Sequence, residues 1–158
     1  MDLLVKLYGL PGPRPLPKGV VVRRALAPEK RLVCGWVAKR FSEGWASECD
    51  VAFSRKPVSL HVAVRGGKLL GFSVHGVYCL DFFGPAGVAP AARGKGLGRE
   101  LLLASLKALE AQGYAYAFIG GAGPVDFYAK SVGAVPIAGS TPGPYRGLLS
   151  VSRRRNRR

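Results

Sequence analysis

The sequence predicts an α/β fold of the α+β kind, a mixed β-sheet with flanking helices, and three observations carry that reading. Apolar residues alternate on both sides of Gly66-Gly67, the pattern of an antiparallel hairpin. A strand over 81–88 runs through a basic, glycine-rich turn into a long amphipathic stretch that ends at Gly113. A further strand, "YAYAFI", follows, and a strand–helix–strand crossover puts one parallel pair into an otherwise antiparallel sheet. At 158 residues and 48% hydrophobic, the chain can bury one core; it is read as one domain over 1–150 and a basic tail over 151–158.

Each element has a local cause. Residues 3–8 read as a first strand, followed by the Pro-rich connector "LPGPRPLPKG" and a second strand over 20–26. Pro28 suits the first turn of a helix, along which Leu32, Val33, Trp36, Val37 and Phe41 recur at helical spacing. Gly44 interrupts that pattern, and "WASECDVAFSR" forms a second helix ending before Pro57. Val58, Leu60, Val62 and Val64 alternate with smaller or polar residues, and the stretch from Leu69 to Val77 returns across the Gly66-Gly67 turn. That turn pairs Arg65 with Lys68 and, counted without interruption, places His61 and His75 on opposite faces. Gly84-Pro85 marks a bulge or bend in the strand over 81–88. After "YAYAFI", "GPVDFYAKSVG" is a short helix between glycines, and "AVPIAG" and "YRGLL" complete the sheet.

Charge is the loudest bulk signal. The net charge of +15 implies an anionic partner: nucleic acid, a membrane surface or a phosphorylated small molecule. Five tail arginines carry part of it and leave +10 on the rest of the chain. The sequence holds no run of about 18 uninterrupted apolar residues, so no spanning helix and no membrane role is expected. Three cysteines, Cys34, Cys49 and Cys79, without CxxC spacing, and an N-terminus without a signal-peptide layout, are read as reduced, buried thiols in a cytoplasmic protein.

The stretch "VAPAARGKGLGRELLLAS" concentrates Gly94, Gly96 and Gly98 with Arg93, Lys95 and Arg99 at the opening of a helix. A helix N-terminus offers unpaired N–H donors and about half a positive charge, and glycine lets an anion reach the backbone. Two phosphate-binding patterns fail on spacing. A P-loop needs Ser or Thr after its lysine and Gly six places before it, where this chain has Gly96 and Ala89. A dinucleotide fingerprint needs its third glycine one residue later than Gly98.

"ARGKGLG" resembles the Arg-x-x-Gly-x-Gly signature of the GNAT superfamily of acyl-CoA N-acyltransferases, with Arg93, Gly96 and Gly98 on its motif positions. "VVVRRALAPE" is similar to that superfamily's opening strand and helix entry, "VSLHVAVRGGKLLGFSVHG" to its central hairpin, and "DFYAKSVGA" to its Phe-Tyr segment closed by a glycine. The resemblance implies acetyl-CoA as cosubstrate, with no metal, and direct transfer of the acetyl group to a primary amine of a small molecule or peptide. Gly87 and Val88 would face pantetheine, while Arg93, Gly94, Lys95, Gly96, Leu97, Gly98 and Arg99 would hold the pyrophosphate. Phe127 would pack along the cofactor. Tyr128 falls on the motif tyrosine; its reference pKa of about 10 is near enough to a thiol's, about 8.5, for it to protonate the leaving thiolate.

Asp81, at the start of the strand leading into the motif, is the candidate base. Glu43, Trp45 and Glu48 belong to the helix pair expected to line the acceptor pocket. In place of an asparagine common in the superfamily shortly before the Phe-Tyr segment, this chain has "GGAGPVD", which leaves that cofactor contact to backbone or water. Two rival classes stay open: a basic nucleic-acid-associated protein, with the Arg-rich tail binding polyanions weakly, and a CoA-binding regulatory module without turnover. The resemblance also allows a homodimer.

Overall fold

The computed structural model of the protein describes residues 1–149. Its strands are β1 (Leu3–Lys6), β2 (Val21–Arg24), β3 (Leu60–Arg65), β4 (Lys68–His75), β5 (Phe82–Val88), β6 (Tyr116–Ile119) and β7 (Val135–Pro136). Its helices are α1 (Lys30–Arg40), α2 (Glu43–Ser54), α3 (Leu97–Ala111) and α4 (Val125–Val132). The strands form one mixed sheet in the order β2-β3-β4-β5-β6-β1-β7. Every pairing is antiparallel except β5 with β6, the pair joined by the crossover through α3. This is the predicted mixed α/β architecture.

Local chemistry sets the helix ends. Ser42 caps α2, its Oγ accepting from the Trp45 amide at 3.1 Å. Asp126 and Lys130 oppose the dipole of α4, and Gly133 closes it at φ +68°. Pro28 lies not in α1 but in a preceding 3-10 turn, Ala27–Glu29, whose Glu29 accepts from the Leu26 amide at 2.7 Å and from both terminal nitrogens of Arg23. One core packs Val33, Val37, Cys49 and Ala52 of α1 and α2 against Leu60, Val62, Phe72 and Val74. Of the three cysteines expected to be buried, Cys49 is; Cys34 is half-buried, and Cys79 is exposed in the turn before β5. A second buries Leu102, Leu106 and Leu109 of α3 on Leu3, Val5, Phe83, Ala117 and Ile119. Each of these leucines contributes about 1.5–3 kcal/mol by leaving water.

The chain's end departs from the sequence reading. "AVPIAG" retains only the two-residue β7, and "YRGLL" is not a strand. Side-chain contacts hold it instead. The Tyr145 hydroxyl donates to Glu48 Oε1 at 2.9 Å, and its ring lies 4.4 Å from that of Tyr78, whose hydroxyl donates to the Pro144 carbonyl at 2.7 Å.

The hairpin is also corrected in one respect. Gly66 and Gly67 take φ of +55° and +74°, and Arg65 pairs with Lys68 as expected. A register shift between Ala63 and Val64 then moves every later pair by one, so His61 opposes Ser73. His75 is two residues from Ser73, so His61 and His75 share a face instead of lying on opposite ones, with ring centroids 5.5 Å apart. Both are buried, at 7% and 0% exposure. His61 Nδ1 lies 3.5 Å from Ser105 Oγ, which meets Ser73 Oγ at 2.8 Å.

Burial first, then the other imidazole, then Arg24 pushes His61 down to about 3; burial and then Arg24 push His75 down to about 4. The unfolded chain therefore takes up protons from about pH 6.5 downward while the folded chain does not. Stability is complete above pH 6.5 and falls as pH drops toward 4, with a limiting slope of about 1.4 kcal/mol per pH unit for each imidazole. Urea unfolding between pH 7 and pH 5, above most carboxylate titration, should show that loss; replacing both histidines with asparagine should flatten it.

Candidate active site

The site grows from a strand that is paired fully on one side and barely on the other. β5 pairs with β4 from His75↔Phe83 to Gly71↔Val88, with a register shift opposite Gly84-Pro85. Toward β6 it pairs only at Phe82↔Phe118 and Phe83↔Ile119. Gly84 takes φ +118°, which an L side chain rarely adopts, and Pro85 has no N–H to offer a ladder. Beyond Phe83 the two parallel strands separate. A cavity of about 530 Å³ occupies the resulting wedge.

Aromatic rings wall it. Phe41 lies over Gly87 so closely that a Cβ there would stand 2.4 Å from its Cζ, and Trp45 stacks on Phe41 at 5.2 Å. Phe127 and Tyr128 of α4 close the opposite side. The Tyr128 ring meets Phe83 edge-on at 6.1 Å. Its hydroxyl has no hydrogen-bond partner among the described residues, and burial pushes its pKa up to about 12.

The basic turn lies at the mouth. After β5, the Ala89 amide donates to the Leu70 carbonyl, a 3-10 turn spans Pro90–Ala92, and α3 begins at Leu97. Gly94 and Gly96 take φ of +76° and +87°, and no protein atom lies within 4 Å of where their Cβ atoms would be. Glycine is therefore required for backbone conformation, and the space beside the amides stays open. No side chain caps α3, so its first N–H groups face that space carrying the positive end of a fifteen-residue helix. Arg93 folds back onto its own turn, Nε donating to the Val88 carbonyl at 3.0 Å, and Lys95 is exposed.

Residues 30–134 match the acetyltransferase (GNAT) family. The chain belongs to that family. A comparison with curated protein sequences found no match. Among solved structures, the GNAT fold recurs in a GCN5-related N-acetyltransferase from Kribbella flavida, at 18% identity and TM-score 0.62, covering 85% of this chain and 53% of that one. A Drosophila protein superposes at TM-score 0.68 with 16% identity, covering 86% and 46% of the two chains. N-acetylglutamate synthase from Neisseria gonorrhoeae, solved with coenzyme A and N-acetylglutamate, superposes at TM-score 0.51 with 15% identity, covering 70% and 27%. The chain thus spans about half or less of the length of these structures, and at such identities the likeness shows the fold alone.

Within this GNAT fold, most of the residues singled out in the sequence converge. Gly87, Val88, Arg93, Gly94, Gly96, Leu97, Gly98, Arg99, Phe127, Tyr128 and Trp45 all line the cavity. Four do not. Asp81 borders a separate shallow depression with Leu4, Tyr114 and Phe118, its carbonyl accepting from the Phe118 amide at 3.0 Å. Glu43 is exposed in the first turn of α2. Glu48, its pKa raised by burial, is held by Tyr145. Lys95 lines a smaller hollow beside Arg65.

Arg99 is also redirected. Its buried guanidinium donates to Glu100 Oε1 at 2.7 Å and to the Gly12 carbonyl at 3.1 Å, while the same Glu100 oxygen accepts from the Arg14 amide at 3.0 Å. The side-chain charge thus fastens the Pro-rich connector to α3. Phe41, Phe72 and Phe83 line the cavity without having been singled out. For Phe41 the aromatic density of residues 36–45 was the one signal. Among the described residues, no group of three or more His, Cys, Asp or Glu is placed to hold a metal ion.

Proposed function

We propose that this chain transfers the acetyl group of acetyl-CoA to a primary amine by direct attack. The observation that carries the reading is the wedge beyond Phe83: one unpaired strand edge, an uncapped glycine-rich helix start at its mouth, and one tyrosine hydroxyl without a partner inside it. The open edge of β5 at Ala86 and Val88 offers backbone groups to the amide-bearing pantetheine arm. The amides from Gly94 to Arg99 offer donors to the pyrophosphate, in a position where a helix start favours negative charge. Gly87 keeps β5 low enough for Phe41 to roof the arm.

In the reaction the neutral amine attacks the thioester carbonyl, forming a C–N bond. The C–S bond breaks with its electron pair on sulfur, and the Tyr128 hydroxyl gives sulfur its proton. The excess ammonium proton leaves to solvent, and the phenolate is reprotonated from solvent. Asp81 lies outside the cavity, so water entering at the acceptor side is the simpler proton acceptor. Trp45, stacked on Phe41, fits as a wall of the acceptor end. Measuring free thiol release from acetyl-CoA across amines, amino acids, polyamines and peptides tests the reading. Release above the hydrolysis background with at least one acceptor is expected, and binding of acetyl-CoA without turnover on any of them would favour a regulatory module.

The charge of +15 supports a second property, weak polyanion binding through Arg153, Arg154, Arg155, Arg157 and Arg158, which lie outside the described residues. Removing residues 151–158 should reduce retention on nucleic acid, flatten its steep salt dependence and leave acetyl-CoA binding intact. Retention indifferent to both salt and truncation would count against it.

A further inference from the structure

The opposite end of α3 holds a second cavity. It has a volume of about 290 Å³ and lies where the ends of α2, β4 and α3 meet the residues leading into β3. Ser59 and His75 form part of its lining, at 4% and 0% exposure, and neither the Ser59 hydroxyl nor either His75 ring nitrogen has a hydrogen-bond partner. Burying such groups unpaired is costly, so two of them in one cavity mark a place where something else completes their bonds. Arg55 and Lys56 are exposed at the rim, Gln112 adds a carboxamide, and the lining has no carboxylate. Arg24 stands close by, donating to the Val58 carbonyl at 2.6 Å. None of the three cations belongs to an ion pair among the described residues.

We propose that this cavity binds a small oxyanion, either inorganic phosphate or the carboxylate of a small metabolite. Its lining is rich in donors: a hydroxyl, an imidazole N–H, an amide NH₂, a guanidinium and an ammonium. A ligand that mainly accepts is the complement. The C-terminal ends of α2 and α3 bring about half a negative charge each, which Arg24, Arg55 and Lys56 together outweigh. The site is distinct from the basic turn, since the fifteen residues of α3 separate the two by about 22 Å. It does not depend on the transfer activity. An anion against His75 favours the imidazolium, so occupancy also raises that ring's pKa.

The chain has only two histidines, so its imidazole NMR spectrum reports the site directly. The full chain is titrated with sodium phosphate, and separately with sodium acetate, against sodium chloride at equal ionic strength, with and without saturating coenzyme A. The expected result is a saturable shift of the His75 ring signals, a raised His75 pKa, and no competition from coenzyme A. Ser59→Ala and Lys56→Gln should each weaken binding about tenfold, the size of one hydrogen bond or contact to an ion, while their circular dichroism stays that of the parent. Tighter binding of phosphate assigns the site to phosphate, and equal or tighter binding of acetate assigns it to a carboxylate. His75 signals that move no more with either anion than with chloride, or that respond identically in both variants, would overturn the proposal and leave the cavity to water.

Discussion

Gly96→Asp should abolish the protection that acetyl-CoA gives against unfolding. At a ligand concentration of a hundred times Kd, a ligand that binds only the folded state adds about 2.7 kcal/mol, a readily measured rise in midpoint. Position 96 has φ +87° and open space where a side chain would begin. An aspartate there bears about 1–2 kcal/mol of left-handed strain, but its carboxylate caps the free amides of α3 and recovers about 1 kcal/mol. The fold should therefore survive with nearly unchanged stability. Binding should not. The carboxylate occupies the donors proposed for the pyrophosphate and repels its charge, and the loss of two charge-assisted hydrogen bonds amounts to about 10²–10⁴ in affinity. Gly96→Asn is the control: it tolerates the same backbone conformation and adds no charge, so it should retain more of the shift. If the aspartate variant is protected as well as the parent chain, the turn is not the pyrophosphate seat.

The basic turn was legible because its signal is chemical and local. Three glycines and three cations crowd one helix start, and the φ values of Gly94 and Gly96 give the backbone reason for two of those glycines. Helix α3, the hairpin turn and the single parallel pair followed from periodicity and order, which need no knowledge of distant contacts. What was not legible depends on partners far away in the chain. The bulge after Ala63 leaves no trace in the alternation of β3, yet it reverses the expected relation of His61 and His75. Arg99 read as a phosphate ligand because nothing in sequence shows that the Gly12 carbonyl returns to α3 and takes up its charge together with Glu100, whose oxygen the Arg14 amide also reaches. Tyr145 read as part of a strand, whereas Glu48, 97 positions earlier, and Tyr78 hold it. Asp81 was chosen by closeness in sequence to the motif, but β5 runs from Asp81 away toward the mouth, and the cavity opens only beyond Phe83.

Tyr128→Phe should lower turnover by about 10²–10⁴-fold, the range for a positioned acid or base, with acetyl-CoA affinity and stability nearly unchanged. The ring packs edge-on against Phe83 and beside Phe127, contacts that phenylalanine keeps. The hydroxyl has no hydrogen-bond partner among the described residues, so its removal breaks no bond within the described fold. A phenol raised from 10 to about 12 is a weaker acid than the ordinary one and remains protonated throughout the neutral range. Against a thiol of about 8.5 in water, that transfer would run uphill. Inside the wedge, however, the same loss of water that raises the phenol also raises the leaving thiolate, because burial disfavours whichever partner carries the charge. The two acidities thus move together, and the proton can pass as the C–S bond breaks. Loss confined to kcat would mark an interaction made in the transition state, whereas a raised KM alone would mark one made equally with bound substrate. Varying the leaving group separates the roles further: the penalty of the phenylalanine variant should shrink with an acetyl thioester whose thiol is more acidic, since such a thiolate needs no proton to depart. A variant that turns over at the parental rate with a verified amine would make Tyr128 a packing residue and give the proton to water.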